Sequence, residues 1–242
     1  MIVGCCGWGF FAPKTFFGSA WKERFKSRLG AYSSLYDVVE VDSTFYSLPK
    51  IETAERWREE VPEGFEFVVK APKSITHEKK FGKGSLDDFN SLMKIAKALR
   101  SDKILFQTPA SFGYSKENEI LVKRFFGSIK SKSYSIIWEP RGTWLENAGR
   151  IEKIAKTAII CTDPLRNFIG IRQKFYYFRL HGFGAHMIYS YKFSDSELKR
   201  VSKLVEGIAG EEIYIMFNNT YMYEDALRFE KINYIRSKPI RS

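Results

Sequence analysis

Two hydrophobic periods alternate along this chain. Short runs of β-branched and aromatic residues recur, and most are followed by a stretch whose apolar residues fall at helical spacing. The runs predict strands over Ile2–Gly7, Tyr36–Asp42, Phe65–Lys70, Lys103–Gln107, Tyr134–Glu139, Thr157–Thr162, Phe175–His181 and Glu212–Phe217. The stretches behind them predict helices over Trp21–Arg28, Ile51–Glu60, Ser85–Leu99, Lys116–Ile129, Ala148–Lys156, Asp195–Ile208 and Glu224–Ile235. Strands alternating with helices imply βαβ units and a parallel sheet, and eight such units close most simply into a (β/α)8 TIM-type barrel. One unit is defective. Asp163–Lys174, with Pro164, Asn167 and Gly170, predicts a short or absent helix between strands six and seven. An open doubly wound sheet is the competing fold. It calls for a GxGxxG loop after the first strand, and the glycines of GCCGWGF are out of phase with that pattern.

The barrel register sorts the polar residues. FYYFRLHG at 175–182 reads as a strand buried on both faces that ends in two cations, Arg179 and His181, on one face by period two. The other strands behave alike. Glu40 and Asp42 end the second, Lys70 the third, Gln107 the fourth, Glu139 the fifth with Arg141 behind it, and Asp163 the sixth, while Asn218 and Asn219 follow the eighth. The loop after the third strand adds His77 and the basic set Lys73, Lys79, Lys80 and Lys83. Trp8, Tyr46, Trp138 and Trp144 are expected as aromatic walls nearby. Fewer polar residues mark the opposite strand ends, and barrel active sites sit at the carboxyl ends. Any one of these residues reads as a paired core charge. Taken together they predict a site at the mouth.

Composition changes the picture modestly. The 242 residues suffice for one domain, taken as 1–242, and no apolar run reaches the ~18 residues of a membrane span. The N-terminus has no basic region ahead of its apolar residues and reads as a strand, not a signal peptide. Cys5, Cys6 and Cys161 form no disulfide framework and no Cys-x-x-Cys pair, which suits small buried residues in a reducing cytoplasm. The formal net charge of +11 favours an anionic small molecule or nucleic acid as partner. Its lysines are dispersed, as on any Lys-rich surface.

Several chemistries fit these residue types. Glu139, Glu40 or His181 suits proton transfer, and Arg179, Arg141 and Lys70 suit a carboxylate or phosphate. Lys70 suits a Schiff base as well, although a lysine among carboxylates is more often an ion-pair partner. A metal cluster through His77, His181, Glu139 and Asp163 is short of imidazoles, since His186 in its glycine-bearing loop is the third and last histidine. One divalent cation held by carboxylates stays open.

GWGF at 7–10, VEVDSTFYSLP at 39–49, FEFVVKAPKSITH at 65–77, FQTPASF at 106–112, WEPRGTW at 138–144, FRLHG at 178–182 and MFNNT at 216–220 come in one order. In that order the chain resembles the DUF72, or YecE-like, family from about Val3 to Phe229. The resemblance implies a TIM-type barrel and no settled activity. It implies matched pocket positions at Glu40, Ser43, Tyr46, Lys70, His77 and Gln107, and further ones at Glu139, Arg141, Trp144, Asp163, Arg179, His181 and Asn218. The chain departs from the family pattern at Cys5-Cys6, Ala110, Pro140 and Gly142. The first expectation is a hydrolase or lyase acting on a phosphate-bearing substrate, with Lys70, Arg141 and Arg179 holding the phosphate and Glu139 and His181 moving protons. In a polymer version Arg166, Arg172, Lys174 and the lysine loop track a backbone. The alternatives are a non-catalytic nucleic-acid-binding barrel and, by fold analogy, a sugar or sugar-phosphate isomerase.

Overall fold

Eight parallel strands close on themselves in sequence order in the computed structural model, which describes residues 1–183, 190–208 and 212–237. The strands are β1 (Ile2–Cys5), β2 (Val38–Val41), β3 (Glu66–Lys70), β4 (Lys103–Gln107), β5 (Ser135–Glu139), β6 (Ile159–Thr162), β7 (Phe175–Leu180) and β8 (Glu212–Phe217). Every neighbouring pair is parallel, and β8 returns to β1 through Ile2↔Tyr214 to Cys5↔Phe217. The fold is the (β/α)8 barrel that the alternating periods imply.

The helices form where a stripe of apolar residues meets a start signal. In α5 (Ser85–Ala98) the residues Phe89, Leu92, Ile95 and Ala96 are buried against the sheet. In α6 (Lys116–Ile129) the stripe is Val122, Phe125, Phe126 and Ile129, and the Ser115 hydroxyl caps the start by accepting from Asn118 N–H. The capping box of α8 (Asp195–Glu206) pairs Ser194 with Glu197 ahead of Leu198, Val201 and Val205. The remaining helices are α1 (Pro13–Phe17), α2 (Trp21–Arg24), α3 (Arg28–Tyr32), α4 (Ile51–Glu59), α7 (Ala148–Ile154) and α9 (Met222–Ser237).

Two sequence expectations are refined. The helix expected over Trp21–Arg28 is two pieces. Phe25 turns extended, and the Ser27 hydroxyl accepts from Gly30 N–H to start α3 afresh. Residues 163–174 carry no helix: Asp163 accepts from Leu165 N–H at its carboxylate and from Asn167 N–H at its carbonyl, a single turn that does not continue. His186, with Gly184, lies outside the described residues. Among the described residues no helix is long and apolar enough to cross a membrane.

Inside the barrel the strands share one layering. The lower interior is apolar: Val38, Val68, Leu105, Ile137, Ile159, Tyr177 and Met216 pack together. Two residues further along β2 to β7, on the same face, stand Glu40, Lys70, Gln107, Glu139, Cys161 and Arg179. The polar ring is the next tier of the same inward-facing columns. The intervening residues, Val39, Val69, Phe106, Trp138 and Phe178, join the larger cluster between sheet and helices.

Candidate functional site

The site is built on Arg179. Its side chain is 0% exposed, on a strand buried along its whole length. A guanidinium has five N–H groups, and all five are engaged. Nε donates to Glu40 Oε2 at 3.1 Å and Nη2 to Glu40 Oε1 at 2.7 Å, a two-pronged clamp. Nη1 donates to Glu139 Oε2 at 2.5 Å and to Gln107 Oε1 at 3.2 Å. Nη2 also reaches Cys6 Sγ at 3.6 Å, with Asp42 Oδ1 3.7 Å away. Arg179 therefore ties strands β2, β4, β5 and β7 and the residue after β1 together and keeps no donor for a ligand. Tyr177, one inward position below it, donates its hydroxyl to Glu40 Oε2 at 3.0 Å.

The three carboxylates around this cation titrate differently. Burial pushes the Glu40 carboxyl up and Asp42 adds to the push. Arg179 and Lys70 oppose it, and the balance leaves Glu40 at about 7. Burial also raises Asp42, but Lys70 and Arg179 outweigh it and hold Asp42 below its ordinary value. For Glu139 burial is overcome by Arg179, Arg141 and His181, so its carboxylate sits well below the usual range. Glu139 is thus an anion at any physiological pH and a poor proton carrier, whereas Glu40 exchanges its proton near neutrality.

Above the floor a cavity of about 410 Å³ opens at the carboxyl ends of β5, β6 and β7. Glu139, Arg141, Asp163, Arg166, Asn167 and His181 line it, with Thr162, Gly142 and Ala110, and Arg179 reaches its base. Arg141 folds back so that Nε donates to Glu139 Oε1 at 2.8 Å, while its Nη2 lies 3.3 Å from His181 Nε2. Arginine only donates, so Nε2 is the acceptor side of this contact. Nδ1 lies 3.8 Å from Asp163 Oδ2, and Asp163 also accepts from the His181 backbone N–H at 3.3 Å. Glu139 Oε1 stands 3.9 Å from Nε2. The imidazole lies between two carboxylates that would stabilise it once protonated.

The remaining candidates divide between this cavity and its neighbourhood. Lys70 is nearly buried, bonded to Asp42 Oδ1 at 2.7 Å, with its ammonium over the Phe45 ring. It belongs to the Asp42 sector, away from the residues lining the cavity. His77 stands in the tight turn after β3, 2.8 Å from the Thr76 hydroxyl and edge-on to Phe45. Burial, then Arg141 and Lys70, lower its basicity. Asn218 is half-buried, and its backbone N–H bonds Leu180 O. Asn219 instead braces α9 by donating to Asp225 Oδ2.

The aromatic walls expected from Trp138 and Trp144 are not there. Both are fully buried behind the sheet, edge to face at 4.9 Å, and the Trp144 indole donates to Phe112 O. Trp138 precedes Glu139, so period two sends it outward when Glu139 points in. Tyr46 and Trp8 do stand at the mouth. They line a second cleft with Cys6, Asp42 and Tyr223. Among the described residues no cluster of three or more His, Cys, Asp or Glu side chains is placed to hold a metal ion. The three cysteines are free and buried, and burial pushes their thiols up.

The sequence expectation gives Arg166 only a backbone-tracking part and Asn167 only a turn-marking one. Asn167 Oδ1 accepts from Asp163 N–H at 2.7 Å and holds the turn on which Arg166 rides. The Asp-Pro pair that marks this turn is the available signal. Tyr177 was legible too, two positions before Arg179 on the same face.

The family described as "Protein of unknown function DUF72" matches residues 2–232. The Bacillus subtilis protein YunF is 33% identical over 130 residues, which are 49% of this chain and 43% of YunF. The chain therefore matches less than half the length of that relative. A DUF72 family protein of Enterococcus faecalis superposes with a TM-score of 0.72 at 20% identity, covering 96% of this chain and 97% of that one. One from Thermotoga maritima gives 0.70 at 22% identity, over 96% and 98%.

Proposed function

The chain belongs to the DUF72 family, and within it we propose that the barrel mouth binds a small phosphate-bearing substrate and that His181 moves the proton in a hydrolase or lyase step. The observation that carries this reading is the cavity that Arg141 and Arg166 line together with an imidazole backed by Asp163. Arg141 is partly exposed, paired to Glu139 on one side and covering His181 Nε2 on the other. An incoming phosphate competes for that guanidinium, whose Nη2 is shared between Glu139 Oε1 at 2.7 Å and His181 Nε2 at 3.3 Å; Nε keeps Glu139 while the outer nitrogens turn to the anion. Drawing Arg141 onto the anion uncovers Nε2 as the proton acceptor, so binding of substrate arms the base. As the imidazolium forms, Asp163 and Glu139 stabilise it from either side.

In this reading the cations divide their work differently from the sequence expectation. Arg141 and Arg166 face the ligand, Arg179 fixes Glu40 and Glu139, and Lys70 fixes Asp42. Glu139 keeps its charge and orients Arg141; it is not the proton carrier.

The test combines thermal unfolding with inorganic phosphate and turnover of generic phosphate mono- and diesters. Phosphate is expected to raise Tm in the wild type and in His181→Asn, and to lose that effect in Arg166→Ala. Turnover is expected in the wild type and lost in His181→Asn. If phosphate leaves Tm unmoved at millimolar concentration, the anion reading fails. If His181→Asn keeps full turnover, its proton role fails.

A further inference from the structure

The second cleft at the mouth, about 520 Å³, is walled by rings. Phe10 is 92% exposed and Tyr46 is 76% exposed, both at its rim. Trp8 stands deeper, edge-on to Trp57 at 4.9 Å, and Asp42 and Ser43 border the inner end. The turn that carries Phe10 is fixed at its backbone: it is closed by Phe11 N–H to Trp8 O, and Arg28 binds Gly9 O at 2.8 Å. Two large rings held bare over one polar-ended cleft form a stacking platform, not a scatter of surface apolar residues.

This cleft and the anion cavity meet at one side chain. Arg179 Nη1 holds Glu139, which lines the cavity, and Nη2 touches Cys6 and stands near Asp42, both of which line the cleft. Arg179 therefore joins a wall residue of the cavity to wall residues of the cleft.

We propose that the two spaces are subsites of one ligand, a nucleoside phosphate, with its phosphate in the Arg141–Arg166 cavity and its base stacked on Tyr46 and Phe10. The inference rests on the anion reading and names its substrate class. A flat heterocycle suits the rings, its amino or ring N–H groups suit Asp42 as acceptor, and its phosphate suits the cationic cavity. An aliphatic phosphate would leave both exposed rings unused.

Calorimetric titration of the full chain with adenosine 5′-monophosphate, ribose 5-phosphate and adenosine tests this, alongside the double variant Phe10→Ala, Tyr46→Ala. Both side chains are largely exposed, so the variant keeps its fold, checked by circular dichroism. The monophosphate is expected to bind at least about fivefold more tightly than ribose 5-phosphate, the lower end of one base–aromatic stack. The double variant is expected to erase that advantage and leave ribose 5-phosphate binding unchanged. Equal affinity for the two phosphates overturns the base subsite and leaves the anion reading standing. An advantage that survives the double variant also overturns it, since the base then lies elsewhere. Loss of ribose 5-phosphate binding in the double variant assigns the rings to a sugar and overturns the nucleoside class. Adenosine binding with no phosphate contribution, or no binding of any of the three, overturns the anion reading and this proposal with it.

Discussion

At the scale of one residue, Glu40 is the group whose chemistry is least like its surroundings. It is fully buried and clamped by Arg179, yet its carboxyl is pushed up to about 7, because burial and Asp42 oppose its charge more than Arg179 and Lys70 favour it. The unfolded chain releases this proton near the ordinary value of 4.5, and the folded protein holds it to about 7. Between those values the native state binds more protons, so stability falls as pH rises through the window. The full effect is on the order of 3 kcal/mol above pH 7. Asp42 and Glu139 act with the opposite sign, since their lowered values give stability that is lost only in acid, below the window. Glu40→Gln removes the titration and keeps the shape. Urea unfolding at pH 5, 6, 7 and 8 is expected to show the variant gaining on the wild type as pH rises. A constant difference across that range would mean Glu40 is ionised throughout. Glu230 also titrates at about 7 but is common to both proteins, so the comparison cancels it.

At the scale of elements, the loop after β5 shows what positions the cavity wall. Gly142 follows Arg141 with φ of 64°, and a Cβ there would lie 2.4 Å from Ala110 O. Both the left-handed backbone and the close approach to the β4 loop require glycine. Gly142→Ala is expected to cost about 1–3 kcal/mol and to displace Arg141 from the cavity. Chemical denaturation and phosphate-induced Tm shift together check this. A variant with wild-type stability and phosphate response would show that the Arg141 position does not depend on this turn. The same scale explains what the chain's pattern disclosed. Lys103–Gln107, Glu212–Phe217 and Lys116–Ile129 are legible to the residue because their flanks carry unambiguous stop and cap signals. The polar ring was legible for the same reason as the strands: period two places Glu40, Glu139 and Arg179 inward at strand ends. Partnership was not. Nothing in the spacing of Arg179 says that all five of its N–H groups are spent on protein acceptors, or that Lys70 belongs to Asp42, because those pairs close across strands far apart in sequence.

At the scale of the whole molecule, the question is what the charge of +11 is for. Part of it is already balanced locally. In the basic loop after β3, Lys73 pairs with Glu78 at 3.3 Å and Lys79 with Asp88 at 2.6 Å. Inside the mouth, Lys70 and Arg179 are matched by Asp42, Glu40 and Glu139. The partly or fully exposed cations that line the cavity over β5–β7 are Arg141 and Arg166. A nucleic-acid track needs more than that. For a single strand the logarithm of affinity falls with the logarithm of salt by about 0.7 for each phosphate neutralised. Two contacts give a slope of about −1.4, and six give about −4. A fluorescent thymidine decamer titrated between 50 and 200 mM salt is therefore expected to show the shallow slope. Arg166→Ala should flatten it further, by about one contact. A slope near −4 that persists in Arg166→Ala would instead assign Lys80, Lys83, Arg172 and Lys174 to a phosphate backbone and favour the polymer-binding barrel. The two outcomes differ because a pocket concentrates its cations at one point, whereas a track spreads them along a surface.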